Sequence, residues 1–477
     1  MNSNVKKIAI VGGGITGLSA AFYTRQLCKE RGITAEITLI EQSKRYGGKV
    51  KTLQRDGCVI EQGPDSFLAR KLPMLELARE LGLENELTAV NPRARSFIIH
   101  KNELHRMPQG LILGIPTEIM PFVKTGLISP LGKVRAALDL MLPKRATTED
   151  ESLGHFLRRR LGTEVLERIA EPLLAGIYAG DTDMLSLQAT FPQFGQMEQQ
   201  HRSIMLGMLR SRKKQQTPSG ASSLPPVAKG AMFLTFKKGL STLIDALTIR
   251  LRDIEWISGQ PVTAVTHTED GIQVRMGDED AKQFDAVIVA APNYEAAAMI
   301  KPLAAERALI DIPYASVANV AFAYRRSEVI AAMNGSGFVV PRGEGLTITA
   351  CTWTSVKWLH TSPDDIALVR CYVGRQGDDR GVVLSDEEMI AKVREDLHRT
   401  MGITAKPLFV ESARWGRSMP QYTVGHLERL AQYREKLQEA LPGVFLAGSG
   451  YQGVGLPDCI AQGKQAAVEV LGLFSWR

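Results

Sequence analysis

Apolar residues in this chain gather either into short unbroken runs or into longer stretches with helical spacing. Val5 to Val11 and Ile37 to Ile40 are short runs and predict strands. Phe284 to Ala291 carries β-branched residues without polar alternation, the pattern of a parallel strand buried on both faces. Further strands are expected at 58–61, 95–100, 254–258, 262–268 and 272–276. A second sheet is expected from runs near 317–325, 337–341, 346–351 and 367–373. Helical spacing marks 72–83, 239–252, 386–401 and a final helix ending near Leu471, with Pro457 suited to its first turn. It also runs from Ser152 to about Leu174, after which 175–181 should break it. Residues 108–145 are apolar but interrupted by Pro108, Pro116, Pro121, Pro130 and Pro143, which predicts short packed helices. A secondary expectation for them is a surface that touches a membrane without crossing it. Residues 211–230, rich in Lys, Gln, Ser, Pro and Gly, read as a loop.

A chain of 477 residues with 44% hydrophobic and 23% charged residues folds around a large core, in two or three domains. The net charge of +7 would attract an acidic ligand or an anionic membrane surface. Nucleic acid is not expected, because the basic cluster Arg210, Arg212, Lys213 and Lys214 stands without any nucleic-acid motif. The five cysteines are scattered and form no C-x-x-C pair, which fits reduced thiols in the cytoplasm. No apolar run is long enough to span a bilayer. The histidines form no H-E-x-x-H metal motif, and no G-x-S-x-G nucleophile is present, so neither metal nor nucleophilic chemistry is expected.

The chemistry starts where the first strand ends. Gly12, Gly14 and Gly17, with Gly13, Ile15 and Thr16 between them, form G-x-G-x-x-G at a strand-to-helix turn. The first glycine permits the turn, the second lets backbone reach a pyrophosphate, and the third lets helix and strand pack closely. Glu41 closes the second strand, where a carboxylate can accept bonds from an adenosine ribose. Residues 42–49, with Gly47 and Gly48 beside Lys49, offer a second phosphate-type loop. Gly63-Pro64-Asp65-Ser66 makes a turn suited to close backbone contact with a flat ligand. The far end repeats the theme, because Gly443 to Asp458 is glycine-rich and opens the final helix. A nicotinamide dehydrogenase has no need of this second helix start. A flavin does: a helix N-terminus beside its pyrimidine edge stabilises negative charge on the reduced ring.

At these motifs the chain resembles the flavin amine oxidase superfamily, and within it the porphyrinogen oxidases of haem synthesis. The resemblance runs from about residue 5 to 472. Its general motifs are Gly12 to Gly17, Arg45-Tyr-Gly-Gly-Lys49 and Ala447-Gly-Ser-Gly450. More discriminating are Glu61 to Phe67, Gly176-Ile-Tyr-Ala-Gly-Asp181, Arg414-Trp415 with Pro420-Gln-Tyr422 and Gly425-His426, and Gly453 to Asp458. One departure is Gly416-Arg417 after Trp415, where the family often has proline next. The resemblance implies FAD contacts at Gly12, Gly13, Gly14, Ile15, Thr16, Gly17, Glu41, Gln42, Lys49, Gly63, Pro64, Asp65, Ser66, Val262, Trp415, Gly453, Val454 and Gly455.

The fold class so implied is α/β. A Rossmann-like FAD-binding domain is assembled from 1–70, 231–300 and 416–477. A mixed-sheet substrate domain comes from 71–107 and 301–415, and a helical subdomain from 108–230. The implied activity is O2-dependent oxidation of coproporphyrinogen III to coproporphyrin III, with H2O2 released and flavin N5 as hydride acceptor. Protoporphyrinogen IX is a further candidate substrate, and another flavin oxidase or desaturase acting on amines or polyenes is the alternative. The propionates of a tetrapyrrole need cationic partners, and Arg70, Lys71, Arg93 and Arg95 are the candidates. Transient contact with the next enzyme of the haem pathway is also expected.

Overall fold

Strands rich in Ile and Val on both faces have no side to turn toward water, so they pair in parallel under helices. The computed structural model describes residues 5–215, 225–277, 281–300, 303 and 311–474. In it β1 (Lys6–Val11) lies in a five-stranded sheet between β2 (Ala35–Glu41) and the strand Ala286–Val289. Glu255–Ser258 flanks β2 and Val444–Leu446 closes the other edge, every pair running parallel. Ile8, Ala9, Ile10, Leu39 and the whole strand from Ala286 to Val289 are fully buried. This one sheet therefore draws strands from four distant parts of the chain.

Two helices from opposite ends of the sequence cover one face. α1 (Ile15–Glu30) and α2 (Leu456–Phe474) pack together through small residues. A Cβ on Gly463 of α2 would fall 2.5 Å from Thr16 O and 2.9 Å from Ala20 N, so only glycine permits this approach. The opposite face is covered by the three-stranded sheet of Val262–Thr268, Gly271–Met276 and Lys282–Phe284, and by helix His426–Ala440.

The second sheet has seven strands and is mixed. Its edge is Phe409–Pro420, next to the long strand Tyr314–Arg325 and then Ile366–Val373, Ile348–Trp353, Gly337–Val339, Ser96–His100 and Glu103–Arg106. The pair Gly337–Val339 and Ser96–His100 is parallel and the others are antiparallel. Helix Asp386–Met401 packs Met389, Val393 and Leu397 on one face, its start fixed by a capping box between Ser385 and Glu388. On the other face Ala321, Ala323 and Leu368 meet Cys58 and Ile60 of strand Cys58–Glu61. That contact carries the turn after Glu61 to the junction of the two sheets.

A helical layer of short pieces, as the prolines require, packs against the seven-stranded sheet at Ile98 and Val339. Arg160, fully buried, holds it together. Its guanidinium bonds Asp139 Oδ1 at 2.6 Å, Pro143 O at 3.0 Å and Arg202 O at 2.7 Å, and meets Glu198 at 3.3 Å. Three local expectations are corrected. Helix Glu171–Tyr178 continues through Gly176 and Ile177, and the break comes at Ala179, which has φ +46°. The widened π-turn Leu166–Ala170 lies just ahead of Pro172, which has no N–H for a regular helix. Helix Ile204–Gln215 occupies the start of the supposed 211–230 loop, because Arg, Lys and Gln propagate a helix begun by apolar residues. The part of that loop at 216–224 lies outside the described residues. Finally, strand Phe409–Pro420 crosses the division expected at 415/416, so the substrate-side sheet continues five residues further, to Pro420.

Candidate flavin site

The first glycine turn is built by three different constraints. Gly12 has φ +108° and its N–H reaches Ile40 O at 2.8 Å. A Cβ on Gly17 would fall 1.9 Å from Gly12 O, whereas nothing lies within 4 Å of one on Gly14. The turn is thus closed against its own strand and open outward. No side chain caps α1, so the amides of its first turn, Ile15 to Gly17, are available to an anion. Glu41 is fixed at the same point, one oxygen accepting Gly13 N–H at 2.7 Å and the other Ser43 N–H at 2.8 Å. Gln42 follows it, exposed. Val262 arrives alongside, because Gly259 N–H bonds Ser43 O at 3.1 Å and Gln260 N–H bonds Glu41 O at 3.2 Å.

The second glycine loop stacks on the first. Gly47 N–H donates to Gly13 O at 2.8 Å, and a Cβ on Gly48 would stand 3.1 Å from Gly14 Cα. Arg45 stiffens the loop by donating to Tyr46 O and Val50 O, each at 3.0 Å. Lys49 points inward, where Nζ donates to Ser418 O and burial pulls its ammonium pKa down. A Cβ on Gly63 would lie 1.8 Å from Lys49 O, which brings the third turn against the second.

That third turn is held from the seven-stranded sheet. Trp415 Nε1–H and Asn319 Nδ2–H both donate to Gln62 O, at 2.6 and 2.7 Å, and Arg370 donates to Gly63 O. Lys357 Nζ bonds the Asp65 carboxylate at 2.8 Å and Ser66 Oγ–H bonds it at 2.6 Å. Burial alone would raise the Asp65 pKa, but Lys357 and then Arg370 hold it well below the usual carboxylate range. Glu61 behaves oppositely. Burial pushes it up to about 7, although Leu240 N–H and the Thr52 hydroxyl donate to it at 2.6 and 2.9 Å. Pro64 continues the chain between these anchored residues.

The C-terminal glycines close the arrangement. Gly453 has φ +82°, and a Cβ there would fall 2.7 Å from that of Asp458; one on Gly455 would fall 2.9 Å from Asp458 Oδ2. Val454 packs on the helical layer. Lys71 bridges to Asp458 at 2.5 and 2.6 Å, tying the third turn to the start of α2. The discriminating motifs meet here as well. Gln421 Nε2–H donates to Tyr178 O at 2.8 Å, Tyr422 donates to Ser449 O, and His426 Nε2 bonds Tyr451 O at 2.7 Å. The rings of Tyr422 and His426 stack at 4.4 Å.

Arg70, Arg93 and Arg95 are exposed, where their charges stay solvated, so of the four cations only Lys71 is drawn into this assembly. The departure after Trp415 is a bulge: pairing with the 314–325 strand slips between Ala315 and Val317, and Arg417 takes φ +44°. Its guanidinium lies 3.8 Å from the centre of the Tyr294 ring, which supports the bulge. Asn319, Lys357 and Arg370 escape sequence reasoning. The one available sign was a charge at 370 inside the otherwise apolar strand Ile366–Val373.

These residues fit an extended dinucleotide. The open face at Gly14, the uncapped helix start, the anchored Glu41 and the two stacked glycine loops make a backbone-lined cradle that side chains would fill. Comparison with known proteins agrees. The family model "Flavin containing amine oxidoreductase" matches residues 15–471. The chain is 45% identical over 99% of both chains to the coproporphyrinogen III oxidase of Bacillus subtilis (strain 168). It is 38% identical to that of Staphylococcus aureus (strain NCTC 8325 / PS 47), over 98% of this chain and 99% of the relative. A solved structure from Exiguobacterium sp. 255-15, 35% identical, superposes with a TM-score of 0.85 over 98% of each chain. The chain therefore belongs to the flavin-containing amine oxidoreductase family, and its cofactor is FAD.

Proposed function

We propose that this chain is an oxygen-dependent coproporphyrinogen III oxidase, taking six electrons from its substrate in three cycles and passing them to O2 as H2O2. The observation that carries the reading is its full-length likeness to the Bacillus subtilis enzyme, which extends over all three turns of the cradle. Bound FAD supplies the acceptor for hydride from the meso carbons of the macrocycle. The chain's part is to hold and orient. Glu41, Gln42 and Val262 take the adenosine end, and Gly12 to Gly17 with Lys49 take the pyrophosphate. Gly63 to Ser66, Trp415 and Gly453 to Gly455 take the ring. Loss of hydride leaves a cation spread over the pyrroles, so no dedicated base is required and pyrrole protons pass to water. Lys71 is the propionate partner, since it stands at the junction of the third turn and α2.

The test is anaerobic mixing of the purified yellow protein with coproporphyrinogen III, protoporphyrinogen IX and a panel of amines. Bleaching of the bound flavin fastest with coproporphyrinogen III is the expected result. Equal or faster bleaching by another donor overturns the assignment.

The same chain is read as touching an anionic membrane surface. No described helix is long and apolar enough to cross a membrane. Yet Ile119 (70% exposed), Met120 and Val123 stand exposed on one short helix, Leu131 (82%) and Val134 on the next, and Met141 just past it, with Lys124 and Lys144 also exposed in this stretch. A cluster of this kind is rare on a surface that meets only water. Co-sedimentation with anionic but not neutral vesicles, lost on Leu131→Glu, is expected. No binding to either rejects the reading.

A further inference from the structure

Arg370 sits in the buried strand Ile366–Val373 and is only 3% exposed. Its guanidinium donates to Gly63 O and lies over the Tyr372 ring, 4.9 Å from the centroid. Nε and Nη1 are buried without a protein partner. Beside them is a cavity of about 20 Å³, lined in part by Glu61, Asp65, Thr235, His360 and Arg370. It has room for one water, which would supply the missing acceptor.

A buried cation is costly, and an aliphatic residue would suit this strand without that cost. The sheet already holds the turn by neutral donors, Asn319 and Trp415, one carbonyl earlier. Arg370 adds to them a planar, permanently charged donor on Gly63 itself, with Asp65 balancing the charge from the next step of the turn. Packing of the sheet asks for none of this, whereas the fixed position of residues 63–66 does.

We propose that Arg370 is a positioning residue for the bound flavin, acting through Gly63 O to hold the 63–66 backbone and to place a positive charge behind it. The proposal rests on the reading that Gly63 to Ser66 cradle the flavin ring. Three variants separate the two: Arg370→Met, Arg370→Lys and Gly63→Val. FAD affinity is read by titrating apoprotein, and the ring's surroundings by the visible spectrum and midpoint potential of the bound flavin. Arg370→Met is expected to weaken FAD binding about tenfold, the effect of losing one charge-assisted bond. It should also shift the visible band and lower the potential, because a positive charge near the reduced ring is lost. Arg370→Lys should recover part of each, since it keeps the charge without the planar fork. Wild-type affinity, spectrum and potential in Arg370→Met overturn the proposal. If that variant does not fold, the same wild-type values in Arg370→Lys overturn it. Full FAD binding by Gly63→Val instead overturns the underlying reading, since its side chain would collide with Lys49 O.

Discussion

Glu61 titrates near neutrality, whereas a carboxyl in water releases its proton near pH 4.5. The folded state thus holds the proton more tightly than the unfolded chain. Its contribution to stability is complete below about pH 4.5 and is lost as pH rises through about 7. Glu61→Gln removes that titration. Its stability relative to wild type should rise between pH 5 and pH 8 by roughly 1–3 kcal/mol, measured by urea unfolding. A difference independent of pH would show that the proton is not held. Lys71 gives a kinetic test at the same scale: Lys71→Ala should raise KM for the porphyrinogen more than it lowers kcat. A fall in kcat alone removes Lys71 from substrate binding. The turn and packing roles of Gly12 and Gly17 were legible because they are local, set within one strand-turn-helix unit. Arg370 and Gly63 lie 307 residues apart, and no short-range pattern announces a contact between them.

The elements best read from sequence are those whose pattern is complete in itself. Helix Asp386–Met401 carries both its apolar stripe and its capping box, and its bounds follow directly. The bulge at Arg417 could not be read, because it depends on Tyr294 and Ser316 from other elements. The helical layer is intermediate. Prolines announce its short pieces, but the ion pair that pins them does not show in any spacing. Arg160→Ala would leave buried Asp139 without its cationic partner, at a cost of about 3–5 kcal/mol in unfolding free energy. Arg160→Met combined with Asp139→Leu should regain most of the loss. If the double variant is as unstable as the single one, packing rather than charge is the cause.

Over the whole molecule, the proposed contacts have FAD bridging segments that lie far apart along the chain. Removing FAD should lower the calorimetric transition temperature by several degrees, corresponding to about 2–4 kcal/mol at ligand excess, and adding FAD back should restore it. An unchanged transition would mean that FAD does not bind the folded chain in preference to the unfolded one. The two-sheet architecture with a helical layer was visible in outline, since parallel-type runs, antiparallel-type runs and proline-broken helices occupy separate stretches. The path by which residues 58–66 reach the second sheet was not, because Cys58 and Ile60 could have packed on any apolar face.

The close seat of Gly463 on Thr16 and Ala20 bears on biogenesis. During synthesis the first glycine turn leaves the ribosome well before the helix that completes its surroundings. On the proposed reading the nascent chain must keep that surface waiting until this helix has emerged, so a product truncated before residue 456 is expected to lose FAD and be colourless.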